Sequence, residues 1–246
     1  MPQNRPRVLI IGYRKDVWEN YTQRQLEFAA EDTSPNAKGG SALKNGLLPN
    51  KSTAPPTLKE LLSNLVDPDY IGGSTTTHYP ASPDTEIQKW LRTSKSGKLA
   101  RRGAVVTEQE YSAHSAKIVE KFEYMLHSGG EIPEHLKTKK FAQRVLPKEW
   151  NGTGPNITAT SLPDDYVHFS QPRVPTVREW ARIQTFPDWY QFAGPRTTGG
   201  RRRAGDPDAG LLDREVTKYT QIGNAVPVLL ANKVAKHVRS ILEKSL

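Results

Sequence analysis

At 246 residues the chain can form one large or two small domains, and 35% hydrophobic content with 19 prolines and 18 glycines implies long loops around a modest core. It has no cysteine, which excludes disulfides, thiolate metal sites and a cysteine nucleophile of its own, and its six histidines show no paired ligand spacing, so no metal is expected. A formal charge of +9 and a pI near 9.6 favour a polyanion such as nucleic acid by long-range attraction, unless the basic residues are only scattered over a solvated surface.

The chain opens on a strand signal. Val8-Leu9-Ile10-Ile11 is a continuous apolar run between Pro6 and Gly12, as suits a strand covered on both faces of an α/β sheet. A domain that begins on an interior strand lacks that strand's preceding partners, so the chain is expected to start in the middle of a fold. Gln23 to Ser52 is polar and turn-rich. Thr57 with Glu60 predicts a capping box before Leu61, Leu62 and Leu65, and Pro68 ends that short helix. Gly72 to Pro83 reads as loop, and Asp84 can cap a helix carrying Ile87, Trp90 and Leu91.

A second capping box, Thr107 with Glu110, precedes an amphipathic segment whose apolar positions are Tyr111, Ile118, Phe122, Met125 and Leu126. Gly129-Gly130 stops it. From Phe141 to Phe169 short β-like pieces alternate with turns, as at Gly152 to Pro155 and Leu162 to Asp165. The last segment predicts a helix started near Pro227, with Leu230, Val234, Val238 and Ile241 along one stripe and Lys233, Lys236 and Arg239 on other faces. One strand at Val8 to Ile11 cannot cover that stripe alone. No stretch nears the roughly 18 apolar residues of a membrane span, and the N-terminus lacks a signal-peptide core, so a cytoplasmic location is expected.

Four segments carry chemistry. Gln3-Asn4-Arg5-Pro6-Arg7 places two arginines at i and i+2 before a strand, where both can point to one side. Their planar donors suit a phosphate, a carboxylate or a pyrimidine edge, although by itself the pattern reads better as an exposed basic strand end. Thr176 to Asp188 reads as a short helix with a possible cap at Thr176 and an end at Pro187; by itself it could be any charged helix. Gln221-Ile222-Gly223-Asn224-Ala225-Val226-Pro227 predicts a tight turn with backbone amides at a helix N-terminus, suited to a carboxylate, or else a plain helix-starting turn. The loop around Arg201-Arg202-Arg203 suits a phosphate clamp or a solvated charge run.

Taken in this order, the Gln3 to Arg7, Arg178 to Pro187 and Gln221 to Pro227 blocks resemble those of the DNA (cytosine-5) methyltransferases. The resemblance implies an α/β fold class: the C-terminal part of a Rossmann-like S-adenosylmethionine-dependent methyltransferase with an inserted mixed α+β target-recognition domain. Residues 1–22 would be a strand of the catalytic domain. Residues 23–204 would be the target-recognition domain, including the Arg178 block, and 205–246 would return to the catalytic domain. It assigns catalytic roles to Arg7, on the flipped cytosine, and to Arg5, which positions the site. Asn224 and Ala225 would form one wall of the S-adenosylmethionine pocket. Double-stranded DNA would be contacted by Gln3, Asn156, Arg201, Arg202 and Arg203. At Gly154-Pro155-Asn156-Ile157-Thr158 many members carry a threonine before an aliphatic residue, and here Asn156-Ile157 stands instead.

Other family blocks are missing. Members flip the cytosine out of the duplex, attack C6 with the cysteine of a Pro-Cys pair and bind N3 with the glutamate of a Glu-Asn-Val block. Neither block is in this sequence, nor is a Phe-x-Gly-x-Gly after a strand. In ordinary members all three precede the Gln-Asn-Arg-Pro-Arg block. The expectation is therefore a C-terminal portion inactive alone, working in a prokaryotic or phage cytoplasm with a separate N-terminal polypeptide. A catalytically inactive DNA-binding remnant is the alternative.

Overall fold

The computed structural model describes residues 54–137, 143–149, 154–158, 162–197 and 216–243, together with 12, 14–17, 49, 208 and 210. The chain divides into two compact units, the larger holding Pro55–Ala225 and the smaller holding Val226–Leu246.

In the larger unit, α1 (Leu58–Leu62) begins at the expected capping box: Glu60 N–H donates to Thr57 Oγ1 at 3.1 Å, and Thr57 N–H donates to Glu60 Oε2 at 2.7 Å. A 3₁₀ turn, Ser63–Leu65, continues it. Helix α2 (Glu86–Arg92) is capped by Thr85, not Asp84. The Gln88 side-chain carbonyl accepts the Asp84 N–H at 3.0 Å, which leaves the Thr85 hydroxyl to accept the Gln88 N–H.

Helix α3 (Ala116–His127) starts well beyond the Thr107 and Glu110 box, and Tyr111 is not part of it. Thr107 has a stronger partner: its carbonyl and hydroxyl accept from the Arg178 guanidinium at 3.1 and 3.0 Å. The segment around it is extended, with bridges His78 to Val105 and Thr75 to Glu110. Gly129 and Gly130 take φ of 72° and 98° and end α3 as expected. Leu162–Asp165, expected as a turn, forms the one-turn helix α4. It leads into β2 (Tyr166–Val167), which runs parallel to β1 (Arg144–Val145) in the register Arg144 to Tyr166.

Helices α5 (Val177–Ile183) and α6 (Lys218–Asn224) complete this unit. One core joins Leu58, Leu61, Leu62 and Leu65 to Leu91, Trp180, Ile183 and Ile222, so α1, α2, α5 and α6 share a single apolar interior. A second cluster packs Phe122 and Met125 of α3 on Val167 and Val174. Among the described residues helices dominate and the only named sheet is the two-residue parallel pair; the strand expected at Val8 to Ile11 lies outside them. In the smaller unit, α7 (Val228–Glu243) carries the expected stripe, with Ile241 buried and Leu230, Val234 and Val238 half-buried. Among the described residues no helix is long and apolar enough to cross a membrane.

Candidate functional site

The Thr176 to Asp188 block is the buried centre of the larger unit rather than a surface helix. Every residue of α5 is buried, Arg178, Glu179 and Arg182 included. Its start is a full capping box, with Thr176 Oγ1 accepting the Glu179 N–H at 3.2 Å and Glu179 Oε2 accepting the Thr176 N–H at 2.8 Å. It closes with Thr185 at a φ of 58°, one of two described non-glycine residues at positive φ.

Charges this deep persist only when paired and fully hydrogen-bonded. Arg173 grips Glu179 with two donors, at 2.8 and 2.7 Å. Burial alone would raise the Glu179 carboxyl, but the Arg173 guanidinium holds it down to about 2. His168, fully buried, accepts the Ser170 N–H on Nδ1 at 3.2 Å, so the ring proton sits on Nε2, 3.5 Å from Glu179 Oε1. Burial, reinforced by the Arg173 charge, pushes His168 down to about 3, and it stays neutral. Arg182 forms the matching pair with Asp188 at 3.0 and 2.6 Å and also donates to Leu61 O and Asn64 Oδ1. Tyr79 donates to the same carboxylate at 2.6 Å. Arg178 spends its donors on Thr107, the Pro187 carbonyl and the Tyr190 carbonyl.

This rigid block holds the Gln221 to Ala225 turn. The Gln184 side-chain amide donates to Ile222 O at 2.8 Å and Ala225 O at 3.3 Å. Tyr219 donates to Pro175 O at 3.1 Å, Gln221 donates to Ala193 O at 2.7 Å, and Lys218 reaches both Glu108 carboxylate oxygens at 2.9 and 2.8 Å. Burial pushes the Tyr219 hydroxyl up to about 12, so it remains a donor. The expected turn at a helix N-terminus is instead a helix end: Gln221 to Asn224 are the last residues of α6, and Ala225 caps it with its N–H on Gln221 O and Ile222 O. Lys218 and Tyr219 supply a preceding turn of helix, which the Gly223-Asn224 pair alone did not announce. Asn224 is left exposed and Ala225 half-buried at the rim.

Of the residues singled out in the sequence, Gln3, Arg5, Arg7, Arg201, Arg202 and Arg203 lie outside the described residues. Asn156 is exposed, with its N–H on Tyr166 Oη at 3.0 Å, while Ile157 beside it is fully buried. The pair therefore anchors by Ile157 and presents Asn156. Asn156 and the Asn224 turn belong to the same compact unit.

A family model for C-5 cytosine-specific DNA methylases matches residues 1–240. The chain belongs to that family. S-adenosylmethionine is the methyl donor of these DNA methylases. Among relatives, the chain is 34% identical over 133 residues to the type II methyltransferase M.AquIB of Picosynechococcus sp., covering 54% of this chain and 87% of that protein. It is 26% identical over 251 residues to the type II methyltransferase M.DdeI of Desulfomicrobium norvegicum, covering 97% of this chain and 51% of that one. To M.BspRI of Lysinibacillus sphaericus it is 28% identical over 97% of its length, covering 40% of the relative. The chain thus spans about half or less of the longer DNA methylases and most of the short one.

The exposed Asn224 amide can both donate and accept a hydrogen bond, while the carbonyls of Ile222 and Ala225 beside it are taken by Gln184, and the described residues add no glycine-rich cradle. Sequence reasoning left unassigned the residues that hold the turn, Gln184, Tyr219 and Glu108, and the buried set of Arg173, His168 and Asp188. Their one local signal was the spacing of Thr176 and Glu179.

Proposed function

We propose that this chain supplies target recognition to a DNA cytosine-5 methyltransferase and completes its flipped-cytosine and S-adenosylmethionine sites, while a separate N-terminal polypeptide brings the catalytic cysteine and glutamate. The observation that carries the reading is a chain matched to the methylase family over residues 1–240 with no cysteine in its sequence. Members of the family close a covalent bond to the base through a thiolate, and no positioning effect replaces that step. That M.AquIB is matched over 87% of its length by 133 aligned residues supports it, since a type II methyltransferase polypeptide shorter than this chain stands among the relatives.

In this reading the buried α5 block is the frame that holds each contributing surface in register. Asn224 and Ala225 hold one edge of S-adenosylmethionine, which supplies the methyl group when bound. Gln184 keeps their backbone from shifting. Arg7 and Arg5 present forked donors to the extruded cytosine, and Asn156, Gln3 and Arg201 to Arg203 engage the duplex. Such a device acts on DNA in a bacterial cytoplasm.

The test is co-expression with a family N-terminal half that carries the Pro-Cys block, followed by an assay of 5-methylcytosine in the host DNA. Methylation only when both polypeptides are present is the expected result. Methylation by the 246-residue chain alone overturns the division of labour, and none from any such pairing overturns the proposal.

A further inference from the structure

Between Glu86 and Glu108 the sequence holds six basic residues, Lys89, Arg92, Lys95, Lys98, Arg101 and Arg102, and no acid. The structure divides them by task. Lys89 pairs with Glu86 at 2.6 Å on α2. Arg92 is buried, its guanidinium 3.6 Å from the centre of the Tyr79 ring, donating to Ala100 O and Ala81 O at 2.8 Å each. The other four are exposed, Lys95 and Lys98 on a tight hairpin and Arg101 and Arg102 in the turn that directly follows it, and none of them forms an ion pair among the described residues.

That hairpin is rigid. Thr93 bridges Leu99, Ser94 N–H donates to Lys98 O at 2.9 Å, and Ala100 N–H donates to Arg92 O at 3.1 Å. The bend is completed by Gly97 at a φ of 82°. Its base is tied to the family block, because Asp188, the partner of Arg182, donates its N–H to Leu91 O at 2.7 Å. Next to Asp188, the Trp189 ring stands 41% exposed, and the Lys95 ammonium lies 4.5 Å from its centre. Four cations thus stand on a backbone tied by hydrogen bonds, with one ammonium steadied by an aromatic face and no acid paired with them among the described residues. A backbone already ordered loses little freedom when it meets a row of phosphates, which is what a backbone clamp requires.

We propose that the Thr93 to Arg102 hairpin, with Trp189, is a second duplex-DNA contact that grips the phosphate backbone without reading sequence. The choice of duplex DNA as the polyanion rests on the proposed function above; the clamp itself rests on the hairpin.

The full chain should be titrated with a labelled DNA duplex across a salt series in three forms. These are wild type, the variant Lys95→Gln, Lys98→Gln, Arg101→Gln, Arg102→Gln, and a charge-matched variant Lys59→Gln, Lys117→Gln, Lys148→Gln, Lys236→Gln at exposed positions elsewhere. The hairpin variant should flatten the slope of log affinity against log salt by about 0.9 for each phosphate it no longer neutralises, up to about 3.6 for all four. The matched variant should keep most of the wild-type slope, and all three should unfold at similar temperatures. Equal flattening in both variants, an unchanged slope in the hairpin variant, or no duplex binding by wild type at low salt overturns the clamp. A wild-type preference for single-stranded RNA over duplex overturns the choice of partner. Flattening confined to the hairpin variant, alongside a co-expressed pair that methylates nothing, upholds the clamp while sinking the methyltransferase reading.

Discussion

Gln184 donates its side-chain amide to Ile222 O and Ala225 O at 2.8 and 3.3 Å, so one buried side chain ties the end of α5 to the turn that carries Asn224. The two segments are far apart in sequence, and the bond makes the position of the turn a property of the core rather than of its own residues.

Replacing Gln184 with leucine keeps the side-chain size but leaves two carbonyls without this donor, which should lower folding stability by about 1–3 kcal/mol. In the assembled enzyme the turn should loosen, raising the KM for S-adenosylmethionine more than it lowers affinity for DNA. Urea unfolding and steady-state kinetics measure the two effects. An unchanged cofactor KM would place the turn outside that site.

Glu179→Gln removes one member of the buried Arg173 pair and leaves a guanidinium without its counter-charge, a change expected to cost about 3–5 kcal/mol. Adding Arg173→Met should recover much of that loss, because the unpaired charge goes with it. Chemical denaturation of both single variants and the double variant closes the cycle. Additive losses would show that the two side chains do not depend on one another.

The folded protein keeps His168 neutral down to about pH 3, whereas the unfolded chain protonates it near pH 6.5. Stability from this group is therefore complete above pH 6.5 and declines as pH falls from 6.5 toward 3. By pH 5 the loss amounts to about 2 kcal/mol. Glu179, held at about 2 against an ordinary 4.5, adds a further decline between those two values. His114, lowered by burial, acts in the same direction. Unfolding free energies from denaturant titrations at about pH 7.5 and about pH 5 should differ by at least about 2 kcal/mol, and His168→Gln should remove most of the His168 share. A stability that does not change between these conditions would mean His168 titrates freely.

Arg7→Ala should reduce turnover of the assembled enzyme about tenfold to a hundredfold, the effect of losing charge-assisted hydrogen bonds of about 1.5–3 kcal/mol. Co-purification of the two polypeptides should persist. Lost assembly with normal turnover in the residual complex would make Arg7 structural.

Local chemistry was legible from the residues themselves. The capping box at Thr57 with Glu60 forms as read, and the possible cap at Thr176 proves to be a full box with Glu179, because each needs only atoms three residues apart. Gly129-Gly130 ends α3 for the same reason, since positive φ is a property of the residue. The three motif blocks were enough to point to the methylase family, and the missing cysteine is plain from composition.

Tertiary structure decided wherever a distant group outbid a local one. Thr107 and Glu110 have the same spacing as the boxes that form, yet Thr107 is taken by Arg178, 71 residues away, and no helix starts there. From the residues alone the helix of Arg178 and Arg182 could be any charged helix, and arginine is seldom fully buried. Their burial is decided by Thr107, Leu61, Asn64 and Asp188, partners that no periodicity reveals. The turn at Asn224 owes its place to Gln184 for the same reason: a buried donor goes to whichever acceptor the packed core brings within reach, and only the folded chain brings Ile222 and Ala225 there.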